Sequence, residues 1–159
     1  MKNLILNTIK AILIVLPLFF QSCKVDLPKN SNSILKIEKS RCYGECPVYH
    51  AILKEKNWIE FYPKENTEIK KASFSKIKNS EFKTLLKIID SISVDSLKNE
   101  YDNKFLMDIP STYLTFFDGK KVKKVKVRAN APEELRMLIK TFEEVIKTSK
   151  WKPFLEDSK

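Results

Sequence analysis

The apolar pattern of this chain changes period along its length, and this limits the folds open to it. Ile34–Glu38 (ILKIE) reads as a short strand. Val48–Lys54 alternates, with Val48, His50 and Ile52 on one face and Tyr49, Ala51 and Leu53 on the other. Trp58–Tyr62 follows after a tight turn at Lys54–Asn57, and Lys71–Ile77 reads as a fourth strand. The period then becomes helical: Phe82, Leu85, Leu86, Ile89 and Ile92 form one stripe, with Asn79 or Ser80 placed to cap it. Ser91, Ser93 and Val94 are weak helix formers, so the helix bends or ends at Asp90–Val94. Ser111–Phe117 and Lys121–Arg128 flank Asp118-Gly119, a strong hairpin signal. The last helix starts near Pro132, and Leu135, Leu138, Ile139, Phe142, Val145 and Ile146 form its stripe.

Strands joined by hairpins, with no crossover helix between them, predict an antiparallel sheet. Two helices with one apolar stripe each predict helices packed on one face of that sheet. The expected class is therefore α+β, with a single domain over residues 34–151 and a C-terminal tail over 152–159.

Composition removes several function classes. The chain has 159 residues, two glycines and one histidine. Gly44 and Gly119 lie far apart, so no glycine-rich phosphate loop is available. A lone His50 excludes a three-histidine zinc site and a two-histidine metalloprotease helix. No metal ligand set, cofactor or catalytic residue is assigned, and the chain is expected not to be an enzyme.

Residues 1–22 read as an export signal. Lys2 and Lys10 supply positive charge, and Ala11–Phe20 (AILIVLPLFF) is an uncharged apolar run too short to span a bilayer. A short transmembrane helix that also uses Leu4–Ile9 would be interrupted by Lys10 and Pro17. Phe20-Gln21-Ser22-Cys23 resembles a bacterial lipobox, in which a small residue precedes an acylated cysteine. An ordinary secretory signal cleaved nearby is the alternative. The lipobox reading implies lipidation of Cys23, with palmitate among the acyl groups, and stable membrane attachment, since two or more acyl chains hold where one does not. Lys24 lacks the aspartate that favours inner-membrane retention, so the outer membrane is expected. Residues 23–33, ending in the polar run KVDLPKNSNS, form a flexible tether.

Arg41-Cys42-Tyr43-Gly44-Glu45-Cys46-Pro47-Val48-Tyr49 sits between the first two strands. With Cys23 acylated, Cys42 and Cys46 are the remaining thiols in an oxidising compartment, and a disulfide is the first reading. Gly44 would let the enclosed loop take positive φ, and Pro47 would stiffen its exit. Two alternatives use the same pair. One is copper binding, since Cys-x3-Cys-Pro also resembles the copper site of cytochrome-oxidase assembly chaperones and thiolates suit Cu(I). The other is thiol redox chemistry favoured by Arg41. The only histidine lies four residues past Cys46, on a strand, and the spacing is not Cys-x-x-Cys.

The stretch RCYGECPVYHAIL resembles the opening of a family of exported bacterial proteins with the pattern Cys-Phe/Tyr-Gly-x-Cys-Pro-x-Tyr, domain of unknown function 6438. Asp108-Ile109-Pro110-Ser111-Thr112, Asp118-Gly119-Lys120, Ala131-Pro132-Glu133-Glu134-Leu135 and Trp151 resemble its later landmarks. The resemblance covers nearly all of residues 34–151. It implies the fold and export and transfers no catalytic residue.

Lys120, Lys121, Lys123, Lys124, Lys126 and Arg128 either form a patch for a polyanion such as lipopolysaccharide or anionic lipid, or are a solvated strand face. Nucleic acid is not an expected partner of an exported chain. Glu100, Asp102 and Asp108 have no EF-hand spacing, and Asp108 suits a turn. The expectation is a membrane-anchored lipoprotein of the cell envelope, acting as a binding or structural module for an envelope protein or polyanion.

Overall fold

The computed structural model describes residues 32–106, 108–119 and 121–154. Eleven short segments of regular structure follow one another among the described residues. Strands β1 (Ser33–Lys39), β2 (Val48–Lys54), β3 (Trp58–Glu65) and β4 (Ser73–Lys76) precede helix α1 (Asn79–Ser91). A 3-10 turn at Val94–Ser96 leads to β5 (Glu100–Tyr101), then β6 (Thr112–Asp118) and β7 (Lys121–Val127). Helix α2 (Glu133–Thr148) and β8 (Lys152–Pro153) complete it. The eight strands form one sheet in the order β5-β7-β6-β1-β2-β3-β4-β8.

The class is α+β, and the sheet is antiparallel at every pairing except one. β5 runs parallel to β7, with Glu100 opposite Lys126 and Tyr101 opposite Val127. The segment from β4 through α1 carries the chain from one side of the sheet to the other, and α2 brings it back to the β4 side. β1 occupies the middle, between β2, whose paired residues lie 10–21 positions away in sequence, and β6, whose paired residues lie 73–81 positions away.

Register explains the core. Leu35 faces Leu53 and Phe116 across the two ladders of β1, and Ile37 faces Ala51 and Leu114. Ile59 and Phe61 continue that row on β3, and Val125 on β7. Because side chains alternate, all of these stand on one face of the sheet. They share one apolar cluster with Leu85 and Ile88 of α1 and Leu135, Leu138, Phe142, Val145 and Ile146 of α2. Leu35, Ile37, Ala51, Leu53, Leu114 and Phe142 are fully buried. Each large apolar side chain taken from water contributes about 1.5–3 kcal/mol before its ordering cost.

Several local expectations change. The N-cap of α1 is Lys78 rather than Asn79 or Ser80, and the Glu81 carboxylate accepts from the Lys78 backbone N–H at 3.1 Å. Asn79 is occupied elsewhere: its Oδ1 accepts from Asn57 Nδ2 at 2.5 Å, tying the helix start to the β2–β3 turn. That turn puts Lys56 and Asn57 at φ of 61° and 56°. In the second hairpin Asp118 pairs with Lys121, and Gly119 between them takes φ of 55°. Lys152 and Pro153, expected in a tail, pair with Phe74 and Ser73 of β4. The expected signal and acylated cysteine lie outside the described residues.

Candidate functional site

Polar residues enter the core register at one end of the sheet. Lys39 continues the Leu35–Ile37 row of β1, and it stands opposite Tyr49 and Thr112. Lys39 Nζ donates to Glu143 Oε1 of α2 at 2.6 Å and to Thr112 Oγ1 at 3.1 Å. Beside this group lies a cavity of about 710 Å³. Cys46 and Pro47 form one wall, Asn66–Ile69 another, and Ile146, Lys147 and Trp151 a third. The Tyr49 and Phe61 rings, 4.9 Å apart, also line it.

Tyr49 is the unusual member. It is only 7% exposed, and its hydroxyl makes no hydrogen bond among the described residues. Burial first, and the Glu143 charge second, push its pKa well above the usual phenol range, so the hydroxyl stays protonated and available as a donor. Among the described residues no side-chain polar atom is both buried and unpartnered, so this hydroxyl keeps an opening to its surroundings, and a ligand oxygen in the cavity beside the ring can accept from it. Trp151 closes the wall opposite: its Nε1 donates to Ile146 O at 3.0 Å, and its ring lies 5.4 Å from Phe61.

The cysteine loop borders this cavity. Cys42 and Cys46 form a disulfide with Cα atoms 5.8 Å apart. Arg41 clamps the loop to β3 through a two-pronged ion pair with Glu65, whose Nε–Oε2 arm is 2.7 Å. The hydrogen bonds from Arg41 outweigh the small burial effect and hold the Glu65 carboxyl below the usual range. Asn66 Nδ2 donates to Cys46 O at 3.4 Å, and Ser40 and Ser111 exchange two bonds across the base of the loop. Gly44 corrects an expectation. It does not adopt positive φ, and a Cβ there would meet no atom within 4 Å. The turn closes through the disulfide and these polar contacts rather than through glycine's freedom.

The other candidates sit elsewhere. His50 points to the opposite sheet face, stacked on Tyr62 at 4.6 Å. Burial and the Lys36 charge lower its pKa, against a smaller upward effect of Glu38. It does not join the cysteines: among the described residues no three His, Cys, Asp or Glu side chains gather as a metal ligand set. Glu100 and Asp102 are partners of the basic strand, with Lys126 Nζ at 2.8 Å from Glu100 and Arg128 at 3.1 Å from Asp102. Asp108 takes φ of 62°, a turn position.

Lys39, Glu143, Asn66, Thr67 and Trp151 escaped the sequence reading as site residues. One signal was there: Lys39 and Thr112 break apolar rows that would otherwise continue, and Glu143 abuts the buried Phe142. Among the described residues no helix is long and apolar enough to cross a membrane. No curated protein matches the chain. Residues 33–146 match the family described as Domain of unknown function (DUF6438), and the chain belongs to that family.

Proposed function

We propose that this protein is an exported lipoprotein, anchored through an acylated Cys23 to the envelope, outer membrane rather than inner. Residues 1–22 are its signal and 23–33 its tether. Its domain is a two-layer α+β sandwich, with both helices over the apolar face of the sheet, and it acts as a non-catalytic binding module. The observation that carries the binding reading is the 710 Å³ cavity lined by the Tyr49 and Phe61 rings and Trp151, with the Tyr49 hydroxyl making no hydrogen bond among the described residues. Sites for small ligands are concave, mostly apolar and supplied with a few placed polar groups. Here rings and aliphatic carbons form the walls, and Tyr49, Lys39 and Lys147 supply donors.

Trp151 gives a direct test, because the chain has only two tryptophans. In a Trp58→Phe background it is the sole reporter. Titration with anilinonaphthalene sulfonate, an aromatic anion, should give saturable one-to-one binding with a change in Trp151 emission. Tyr49→Phe should weaken it about fivefold, the loss of one neutral hydrogen bond. An unsaturable response, or one indifferent to Tyr49→Phe, overturns the cavity reading. For the anchor, Cys23→Ala should abolish labelling by radioactive palmitate; persistent labelling overturns it.

A second reading is copper or thiol handling by Cys42 and Cys46. The Gly44 backbone N–H points at Cys42 Sγ at 3.3 Å and would stabilise a thiolate there after reduction. Copper retained by the reduced protein, and lost in Cys42→Ser, would favour this reading over a structural bridge.

A further inference from the structure

We propose that the sheet face opposite the core rests on an anionic phospholipid bilayer, orienting the anchored domain. The register assigns that face. Lys36, Glu38, His50, Glu60, Tyr62, Phe74, Tyr113, Lys124 and Lys126 all alternate with core residues. Lys54, Lys64, Lys76 and Lys152 complete its cations, seven in all, against Glu38, Glu60 and Glu100. The two helices are balanced, five cations against six carboxylates. Of the two layers, the outer sheet face is therefore the positive one.

The three carboxylates on that face are already engaged by lysines. Glu38 lies 3.2 Å from Lys36 and 3.3 Å from Lys124, Glu60 3.4 Å from Lys54 and Glu100 2.8 Å from Lys126. They hold the ammonium groups over the sheet without cancelling them. Between the lysines runs a line of rings suited to a headgroup layer. His50 and Tyr62 stack at 4.6 Å, Tyr62 and Phe154 at 5.8 Å, Phe154 and Phe74 at 5.4 Å, and Lys124 sits 4.8 Å over Tyr113. The inference rests on the anchor reading for its geometry. Lys24–Asn32, which precedes β1, spans at most roughly 30 Å, longer than a seven-residue strand, and so the face can reach the membrane surface.

The test uses the full acylated chain in vesicles of phosphatidylcholine, with and without phosphatidylglycerol, and lysine acetylation read by mass spectrometry. Lys36, Lys76, Lys124 and Lys126 should be acetylated several-fold more slowly only with phosphatidylglycerol, while Lys83, Lys87 and Lys140 of the helices are unchanged. A Lys124→Glu/Lys126→Glu variant should lose the protection and remain vesicle-bound. Equal labelling in both vesicles, or protection of the helix lysines, overturns the proposal. Protection that appears only when lipopolysaccharide is added also overturns it, in favour of an anionic glycan. Chain recovered free of phosphatidylcholine vesicles refutes the anchor alone. The face is then judged by partition onto phosphatidylglycerol vesicles, to which each lysine contributes about fivefold.

Discussion

Lys39 and Glu143 join the first strand to the last helix, with Nζ and Oε1 2.6 Å apart across 104 residues of chain. Both side chains are more than two-thirds buried, at 19% and 31% exposure. Solvent therefore screens the pair less than it screens the surface pairs, and Thr112 supplies a second acceptor for the same ammonium. Lys39→Met should lower the unfolding free energy by about 2 kcal/mol, in the range for hydrogen bonds to charged groups. Glu143→Gln should cost less, since the amide still accepts. The double variant should fall short of the sum, because the two residues share one interaction. Urea denaturation of the four proteins measures this; strict additivity would show that the contact contributes nothing.

The disulfide encloses a short loop, so reduction should have a modest effect. By loop-closure entropy, a ring of this length contributes about 2 kcal/mol. Cys42→Ser/Cys46→Ser should be folded and less stable by about that amount, and intact mass with and without reductant should differ by two hydrogens in the parent protein. Gly44→Ala should be neutral within about 0.5 kcal/mol, because the added methyl meets no atom within 4 Å and no positive φ opposes it.

Stability should fall as pH drops below about 6.5. The His50 pKa is lowered by burial and by Lys36 and Lys64, so the unfolded chain takes up the proton first. The neutral imidazole stabilises the fold above the unfolded pKa, and that contribution is lost as pH falls toward the folded value. Glu38 adds a second, more acidic phase. Burial alone would raise its carboxyl, but hydrogen bonds from Lys36 and Lys124 outweigh this and hold it low. Its contribution is present above the ordinary carboxylate range and is lost below it. Thermal melts across this range should show both phases, and His50→Gln should remove the first and keep the second. NMR titration of the single imidazole gives the direct check: a pKa at or above 6.5 would reverse the first phase.

What the sequence made legible follows from how local each signal is. The alternation of Tyr49, Ala51 and Leu53 against His50 and Ile52 lies within seven residues, and the structure puts those two sets on opposite faces. The α2 stripe is equally local, and five of its six members are buried, Ile139 only partly. In α1 the stripe named Leu86 and omitted Ile88, yet Ile88 is buried and Leu86 only partly so, a shift of one side of the helix that neighbours decide. The two-residue strands β5 and β8 have no period to read. They exist because Lys126 and Arg128 find backbone partners at Asn99 and Tyr101, and because Phe154 N–H reaches Ala72 O at 3.0 Å. The cavity is likewise invisible in sequence, since its walls come from five separate segments and its donors look like surface lysines and a strand tyrosine.

The C-terminal segment gives the last prediction. Treated as a tail, residues 152–159 would be dispensable. Instead Phe154 lies between the Tyr62 and Phe74 rings at 5.8 and 5.4 Å, and Lys152 and Pro153 pair with β4. Truncation after Trp151 removes those contacts and uncovers a strand edge. Phe154 is half-buried, so the apolar loss is smaller than for a core phenylalanine, about 1–2 kcal/mol. Phe142→Ala in the core, fully buried, should cost about 3–5 kcal/mol. The exposed β4 edge should also promote self-association of the truncated protein, as unpaired N–H and C=O groups invite another strand. Chemical denaturation and sedimentation of the truncated chain test both effects together. A protein as stable and as monomeric as the parent would return these residues to the status of a tail.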